Sequence, residues 1–221
     1  AFPAIVTESL AYSTLQSGPE FARWLTERGP AQVPEIPDPV VAERDGSILR
    51  IWFNRPQRHN AFSTDARALL LEALTVALLD DTVGQVVLGG HGPSFCSGGD
   101  LGEFGTFDDP ASAHVARTRH SPALALDVLT RRLGRDCRAE IHGRVLGSGL
   151  EMAAFCGWVR CHPDTVLGLP ELALGLIPGA GGTLSITRRI GRWRTAYLVL
   201  SGRTIDPVTA LRWGLVDEIA G

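Results

Sequence analysis

The sequence contains no lysine: each of its 21 basic residues is an arginine. This absence excludes catalysis through a lysine Schiff base and a phosphate-binding loop that depends on lysine. Any phosphate group would have to be held by arginine side chains or by backbone N–H groups. The formal net charge of -3 gives no sign of a general binder of nucleic acid or anionic membranes.

Cysteine is scarce, with 4 in 221 residues, and no two of them form a C-x-x-C pair. We expect these thiols to be reduced and packed, and we expect no metal site. The sequence also lacks an apolar run long enough to cross a bilayer and a recognisable secretory signal, so we expect a cytoplasmic protein. The motifs G-x-G-x-x-G, G-x-S-x-G and H-E-x-x-H are absent as well, which argues against dinucleotide binding, a serine nucleophile elbow and a zinc protease.

Residues 1–39 differ in character from the remainder. Pro19 to Arg28 is predicted to form a short amphipathic helix, and the four prolines within 29–39 favour an extended connector. We therefore interpret residues 1–39 as an N-terminal extension and residues 40–221 as the main domain. The length and the apolar content of 44% are those of an ordinary soluble domain.

From Val40 onward, predicted strands and helices alternate, which indicates the α/β class. Strands are predicted at 47–54, 85–88, 139–145 and 159–169. Helices are predicted at 63–79, at 109–135 with a break before Pro122, at 149–155, in two stretches between Gly182 and Gly202, and from Asp206 to Gly214.

Glycine-rich turns at 97–100, 147–150 and 179–182 are the first candidates for chemistry. Glycine allows a backbone to approach a ligand closely, and N–H groups from two such turns could hold one developing oxyanion. Glu151 and Glu171 stand at the starts of two predicted helices. If they share a pocket, two such carboxylates can divide acid and base roles.

Each of these features also has a purely structural explanation. Ser148 and Glu151 fit a helix capping box, and Pro170 with Glu171 fits the first turn of a helix. Such caps far outnumber active sites, so periodicity alone favours the structural explanation. The arginines between 188 and 194 are most simply a solvated helix face, although they could also contact phosphate or RNA.

Five segments in order resemble the enoyl-CoA hydratase/isomerase (crotonase) superfamily, and together they favour the catalytic interpretation of the two glutamates. They are NRPQRHNAF at 54–62, FCSGGDL at 95–101, HGRVLGSGLEMA at 142–153, LPELALGLIPGAGGT at 169–183, and the ending from LSG at 200–202 to ALRWGLV at 210–216. The resemblance covers about Val40 to Gly221. It implies a spiral of ββα units that binds a bent acyl-CoA thioester and assembles as a homotrimer or hexamer. No cofactor is implied beyond the coenzyme A of the substrate.

The resemblance also implies roles for individual residues. The thioester oxygen would lie between the backbone N–H groups of Gly99 and Ser148, with Glu151 and Glu171 as the catalytic pair. Residues implied in binding coenzyme A or substrate are Arg58, Ala61, Gly98, Asp100, Leu101 and Gly147.

Hydratases of the family are similar to this chain in having both glutamates, whereas many isomerases keep only the one that matches Glu171. Hydration of a trans-2-enoyl-CoA is therefore the leading hypothesis. The alternatives are isomerisation or another crotonase reaction and, more remotely, a non-catalytic scaffold or RNA binder. The family's C-terminal helices have no counterpart before Gly221, so either the sequence is truncated or residues 1–39 compensate for them.

Overall fold

The centre of the molecule is a six-stranded sheet in the computed structural model, which describes residues 1–106 and 109–221. Strands β1 and β2 form an antiparallel hairpin, and the remaining neighbours in the sheet are parallel. In spatial order the strands are β1 (Val40–Asp45), β2 (Ile48–Phe53), β3 (Gln85–Gly90), β4 (Cys137–Ile141), β6 (Trp158–Cys161) and β8 (Glu218–Ile219).

Two further strands form a small parallel sheet of their own. They are β5 (Arg144–Leu146) and β7 (Val166–Gly168). Residues 139–145 were predicted as one strand, which is wrong, because the chain leaves the main sheet at Ile141 and turns at Gly143. Gly143 has φ 57°, and a Cβ there would lie 2.0 Å from the carbonyl oxygen of Pro93. The turn therefore requires glycine and directs the chain towards the second sheet.

Helices cover both the sheet and its C-terminal edge. They are α1 (Phe2–Gln16), α2 (Pro19–Arg28), α3 (Thr64–Leu79), α4 (Pro110–Arg119), α5 (Pro122–Leu133), α6 (Ser148–Ala153), α7 (Gly182–Ser201) and α8 (Pro207–Trp213). Short 3-10 turns lie at Pro56–Arg58, Gly134–Asp136 and Glu171–Leu174. No helix in the described part of the chain is long and apolar enough to cross a membrane.

Side-chain caps explain where three of the helices begin. Ser63 accepts the N–H of Ala66 at 3.1 Å and starts α3, as predicted. Asp109 caps α4 through the N–H of Ser112, and Asp206 caps α8 through the N–H of Thr209. The predicted break before Pro122 is confirmed, since α4 ends at Arg119 and α5 begins at Pro122. Within α7, a non-helical backbone at Gly191 separates the two predicted helical stretches.

The core lies between the main sheet and the helices α3 and α5. Its largest fully buried side chains come from both strands and helices, as expected for parallel strands covered by helices. Among them are Ile51, Leu70, Leu74, Leu88, Leu126, Leu129 and Ile141. The loops that carry the candidate site residues follow β3, β5 and β7.

The arginines at 188–194 are not a uniformly solvated face. Arg189 donates to the carbonyl oxygens of Ala154 and Cys156 and pairs with Asp217 at 3.0 Å. Arg188 pairs with Asp127 at 2.6 Å. These two arginines therefore join α7 to neighbouring elements. The prediction of a solvated face is wrong for Arg189, whose side chain is 13% exposed, and holds for Arg188, whose side chain is 48% exposed.

Helix α1 was not predicted from the sequence. It packs against α4 and α7, and the face it buries consists of Ile5, Glu8, Ser9 and Tyr12. These residues have helical spacing, but two of them are polar, so the apolar pattern that identifies an amphipathic helix is missing. Helix α2 occupies its predicted range, with Phe21 buried beside Trp24.

Candidate active site

The first carboxylate of the site, Glu151, belongs to the short helix α6, which begins directly after β5. The N-cap of this helix is Gly147, and Ser148 makes no capping bond, so the capping-box explanation is wrong. The Glu151 side chain is 1% exposed. Its Oε2 accepts the N–H groups of Ala180 and Gly182, each at 2.7 Å. These bonds tie α6 to the turn that precedes α7.

The second carboxylate, Glu171, follows β7 and starts the 3-10 turn Glu171–Leu174. Pro170 is the N-cap of this turn and not its first residue, while Glu171 does lie in the first turn, as predicted. Glu171 is 9% exposed, and its Oε2 has no hydrogen-bond partner within residues 1–106 and 109–221. A Cβ at Gly147 would lie 2.6 Å from its Oε1. Gly147 therefore leaves the room in which this carboxylate sits.

Burial raises the pKa values of both carboxyl groups. It raises the pKa of Glu171 to about 7, and the nearby charge of Glu8 acts in the same direction. Burial also raises the pKa of Glu151 well above its ordinary value, with further contributions from the charges of Glu8 and Glu171. A carboxyl group with a pKa near 7, as at Glu171, can accept or release a proton near neutral pH, which ordinary surface carboxylates do poorly.

A third buried carboxylate, Glu8 of α1, shares the turn that holds Glu151. It is 4% exposed. Its Oε1 accepts the N–H of Gly181 at 2.6 Å, and its Oε2 accepts the N–H and the hydroxyl of Thr183 at 2.8 and 2.6 Å. Glu8 could not be identified from the sequence, because the buried face of α1 shows no apolar helical period.

Two residues of the cavity wall, Gly99 and Ser148, come from separate turns. Neither the N–H of Gly99 nor that of Ser148 donates to an acceptor within the described ranges. Ser148 is the first residue of α6, so its N–H is one of the donors that a helix start leaves free. Free N–H donors of this kind are suited to hold an oxygen on which negative charge develops.

The cavity has a volume of about 130 Å³ and brings these groups together. Gly99, Ser148, Glu151 and Glu171 all lie on its wall. The helices α1, α3 and α4 contribute part of the remaining wall, together with residues 103–105 and 120–123. Its residues there include Ile5, Tyr12, Gln16, Arg67 and Arg117. Arg117 lies over the Tyr12 ring, 4.5 Å from its centroid, and donates to Ser9, Ser13 and Gln16 of α1.

The sequence matches the family model of enoyl-CoA hydratase/isomerase over residues 43–221. The chain belongs to the enoyl-CoA hydratase/isomerase family. It is 30% identical over 180 residues to the 2,3-dehydroadipyl-CoA hydratase of Escherichia coli, covering 81% of this chain and 68% of that one. It is 32% identical over 182 residues to a probable enoyl-CoA hydratase of Mycobacterium tuberculosis, with the same coverage.

Solved structures give the same result for the fold. An enoyl-CoA hydratase from Thermoplasma volcanium superposes with a TM-score of 0.69 at 31% identity, over 82% of this chain and 71% of that one. Pseudomonas aeruginosa DspI gives a TM-score of 0.73 at 28% identity, over 86% and 71%. The predicted crotonase-like α/β fold is therefore confirmed. Members of this family act on acyl-CoA thioesters.

The residues predicted from the family resemblance to bind coenzyme A or substrate lie outside the cavity wall. They are Arg58, Ala61, Gly98, Asp100, Leu101 and Gly147. The Asp100 carboxylate is engaged within the protein, since it pairs with Arg55 and Arg58, each at 2.8 Å. Leu101 is 45% exposed, and the Arg58 side chain is about one-third exposed. Three others, Ala61, Gly98 and Gly147, are buried and adjoin the wall residues 62, 99 and 148 in the chain.

The family match begins at residue 43, so α1 and α2 lie outside it. Even so, α1 places Ile5 and Tyr12 on the cavity wall and Glu8 against the turn before α7. In this family member, a segment beyond the matched region contributes directly to the candidate site. The feature of the sequence that could have indicated it is an acidic residue within an otherwise apolar and small-residue stretch.

Proposed function

We propose that the protein is an enoyl-CoA hydratase, which adds water across the trans-2 double bond of an enoyl-CoA thioester. The observation that carries this proposal is the presence of two buried carboxyl groups, Glu151 and Glu171, in one cavity with the free N–H groups of Gly99 and Ser148. The name of the Escherichia coli relative, a hydratase of a 2,3-unsaturated acyl-CoA, supports the same reaction type.

In this proposal the thioester oxygen accepts both N–H groups, and the two carboxyl groups face the water and the α and β carbons. The oxygen of water forms a bond to the β carbon, and one of its protons passes to the ionised glutamate. The electrons of the double bond move towards the thioester oxygen, where the N–H groups of Gly99 and Ser148 stabilise the enolate. The glutamate pair then transfers a proton to the α carbon of the enolate.

The glutamate pair carries the same number of protons at the end of the reaction as at the start. Because burial and mutual charge couple their pKa values, we treat Glu151 and Glu171 as one acid–base unit. A reaction that only moves a double bond needs a single group to remove and return a proton. The second buried carboxyl group therefore favours hydration over isomerisation.

The proposal is tested by mixing the protein with crotonyl-CoA and following the loss of absorbance of the conjugated thioester. The products are then identified by mass spectrometry and compared with those formed from a 3-enoyl-CoA. Formation of a 3-hydroxyacyl-CoA supports hydration. Exclusive migration of the double bond, with no gain of water, would overturn the proposal in favour of an isomerase.

We further propose that the protein assembles into homotrimers or pairs of trimers. An exposed apolar stripe on α7 supports self-association: Trp193 is 76% exposed, Tyr197 45% and Leu200 70%. These residues are spaced by four and three positions and so share one helix face. Light scattering on the protein and on Leu200→Glu tests this, because a monomeric wild type would rule the assembly out.

A further inference from the structure

The turn from Ala180 to Thr183 presents four successive backbone N–H groups, and two glutamates accept them alternately. Glu151 takes those of Ala180 and Gly182, and Glu8 takes those of Gly181 and Thr183. All four distances lie between 2.6 and 2.8 Å. The turn is therefore held between two carboxylates that lie far apart in the sequence.

We propose that Glu8 of α1 is a positioning residue of the active site, which fixes the 180–183 turn and through it the carboxylate of Glu151. The inference rests on the proposed acid–base role of Glu151. Glu8 is absent from the cavity wall, so it does not touch the substrate itself. It acts through the turn that it shares with Glu151.

A helix that served only to cover the cavity would not need a carboxylate at this position. Burying a carboxylate is costly unless hydrogen bonds compensate for the loss of water, and an apolar side chain would cover the cavity without that cost. Both carboxylate oxygens of Glu8 accept hydrogen bonds, from the N–H groups of Gly181 and Thr183 and from the Thr183 hydroxyl. These hydrogen bonds therefore stabilise the turn, which an apolar side chain at this position could not do.

The charge of Glu8 has a second effect on the site. The charged and titratable groups around Glu151 are Glu8 and Tyr12 of α1, Glu171 and the buried Cys96, while Arg117 of α4 acts on Glu8. After burial, the charge of Glu8 is the strongest influence that raises the pKa of Glu151. Removing it lowers that pKa, so the pH dependence of the reaction must move to lower pH.

The test compares Glu8→Gln and Glu8→Asp with the wild type. Glutamine has the shape of glutamate, but its NH2 group would meet an N–H donor of the turn. Aspartate keeps the charge with a shorter reach. Glu27→Gln is the charge-matched control on the exposed surface of α2, and Ser9→Ala is a control that loosens α1 from Arg117 without touching the turn.

We expect Glu8→Gln to lower kcat about 10- to 100-fold with KM nearly unchanged, because a carboxylate displaced by a fraction of an ångström loses this much. The pH–rate profile should move to lower pH, and Glu8→Asp should recover part of both effects. Hydrogen exchange should become faster at the amides of Gly181 and Thr183. Neither control should show this combination.

Wild-type kinetics in Glu8→Gln would overturn the proposal. So would an equal loss of kcat in Glu8→Gln and Ser9→Ala with no change in the pH profile, since that pattern describes general loosening of α1. If Glu8→Gln does not fold, Thr183→Val removes one donor to Glu8 from the other side. Unchanged amide exchange and kinetics in both Thr183→Val and Glu8→Asp would then reject the role of Glu8.

The exchange measurement also separates this proposal from the proposed function. If the wild type does not hydrate enoyl-CoA thioesters, the hydratase assignment fails. Faster exchange at Gly181 and Thr183 in Glu8→Gln would still show that Glu8 holds the turn, and unchanged exchange would show that it does not.

Discussion

Glu8 and Glu151 accept alternate N–H groups from a single turn, although they lie 143 positions apart in the sequence (151 minus 8). Glu151 lies in the region that matches the family, and Glu8 lies before it. The conformation of the turn that begins α7 therefore depends on both parts of the chain. A substitution at Glu8 should therefore alter the position of Glu151, because both carboxylates accept N–H groups of the same turn.

The first prediction concerns Gly182, the first residue of α7. A Cβ at this position would lie 2.5 Å from Cγ of Glu151 and 2.7 Å from its Oε2. Gly182→Ala should push the carboxylate aside and lower kcat/KM about 100-fold, since a displacement of about 1 Å can cost that much. The measurement is the steady-state rate of crotonyl-CoA hydration.

Gly84→Ala is the matched control for this substitution. Its Cβ would find its nearest neighbour, Ser47 Cβ, at 3.7 Å, which is an ordinary contact. Activity should be retained in Gly84→Ala. Full activity in Gly182→Ala would contradict the position assigned to Glu151.

The second prediction concerns Ser148, whose hydroxyl has no hydrogen-bond partner in the described ranges. If only its backbone N–H is used, Ser148→Ala should keep kcat within about threefold, whereas loss of an oxyanion donor costs about 100- to 1,000-fold. Ser148→Pro removes that N–H. Proline is well tolerated at the first position of a helix, which Ser148 occupies in α6.

Circular dichroism would confirm that both Ser148 variants fold. A large loss in Ser148→Ala would show that the hydroxyl, and not the backbone, takes part in the reaction. Equal activity in the proline variant would remove Ser148 from the oxyanion hole.

The third prediction concerns the ion pair between Arg55 and Asp100, which is nearly inaccessible to water, with side chains 3% and 0% exposed. Arg55→Met should destabilise the fold by about 3 kcal/mol, because it leaves a buried carboxylate short of a partner. Arg58→Met removes a partner that is 34% exposed and should cost about 1 kcal/mol or less. Urea unfolding measures the loss in free energy of unfolding for both variants. Equal losses would contradict the claim that the buried Arg55–Asp100 pair stabilises the fold more than the Arg58–Asp100 pair.

The fourth prediction follows from the raised pKa of Glu171, which is about 7 in the folded protein against an ordinary value of 4.5. Between these values the folded state binds more protons than the unfolded state. The stabilising contribution of protonated Glu171 is therefore complete below pH 4.5 and is lost as the pH rises through about 7.

Glu171→Gln should not lose stability in this window, since glutamine stays neutral. The Tm of the wild type should fall further than that of Glu171→Gln between about pH 5 and about pH 8. Differential scanning calorimetry at both pH values gives the comparison. Parallel changes in the two proteins would show that Glu171 has an ordinary pKa.

The sequence predicted the main elements well wherever a local signal existed. The caps at Ser63 and Asp206, the break before Pro122 and helix α2 all follow from side chains that act within one turn. The family resemblance also predicted that four residues belong to one site. In the structure all four lie on the wall of one cavity: Gly99, Ser148, Glu151 and Glu171. Their roles in catalysis remain predictions.

What the sequence could not provide depends on contacts between distant segments. The buried face of α1 mixes Ile5 and Tyr12 with Glu8 and Ser9, so no apolar period identifies it. The partner of Glu8 lies more than 170 positions away in the turn before α7. Likewise, β4 and β5 were predicted as one strand, because the close contact of Gly143 with Pro93 at the turn between them is not visible in the sequence.

The most direct test of the account is the rate of crotonyl-CoA hydration in Glu151→Gln and Glu171→Gln beside the wild type, with Glu140→Gln on the exposed face of β4 as the control. Removing an acid–base group should lower kcat about 100- to 10,000-fold. We predict that the wild type and Glu140→Gln hydrate crotonyl-CoA at similar rates and that both active-site variants fall within this range of loss. If either active-site variant, correctly folded, hydrates crotonyl-CoA at the wild-type rate, the two glutamates do not form the acid–base unit, and the central claim is contradicted.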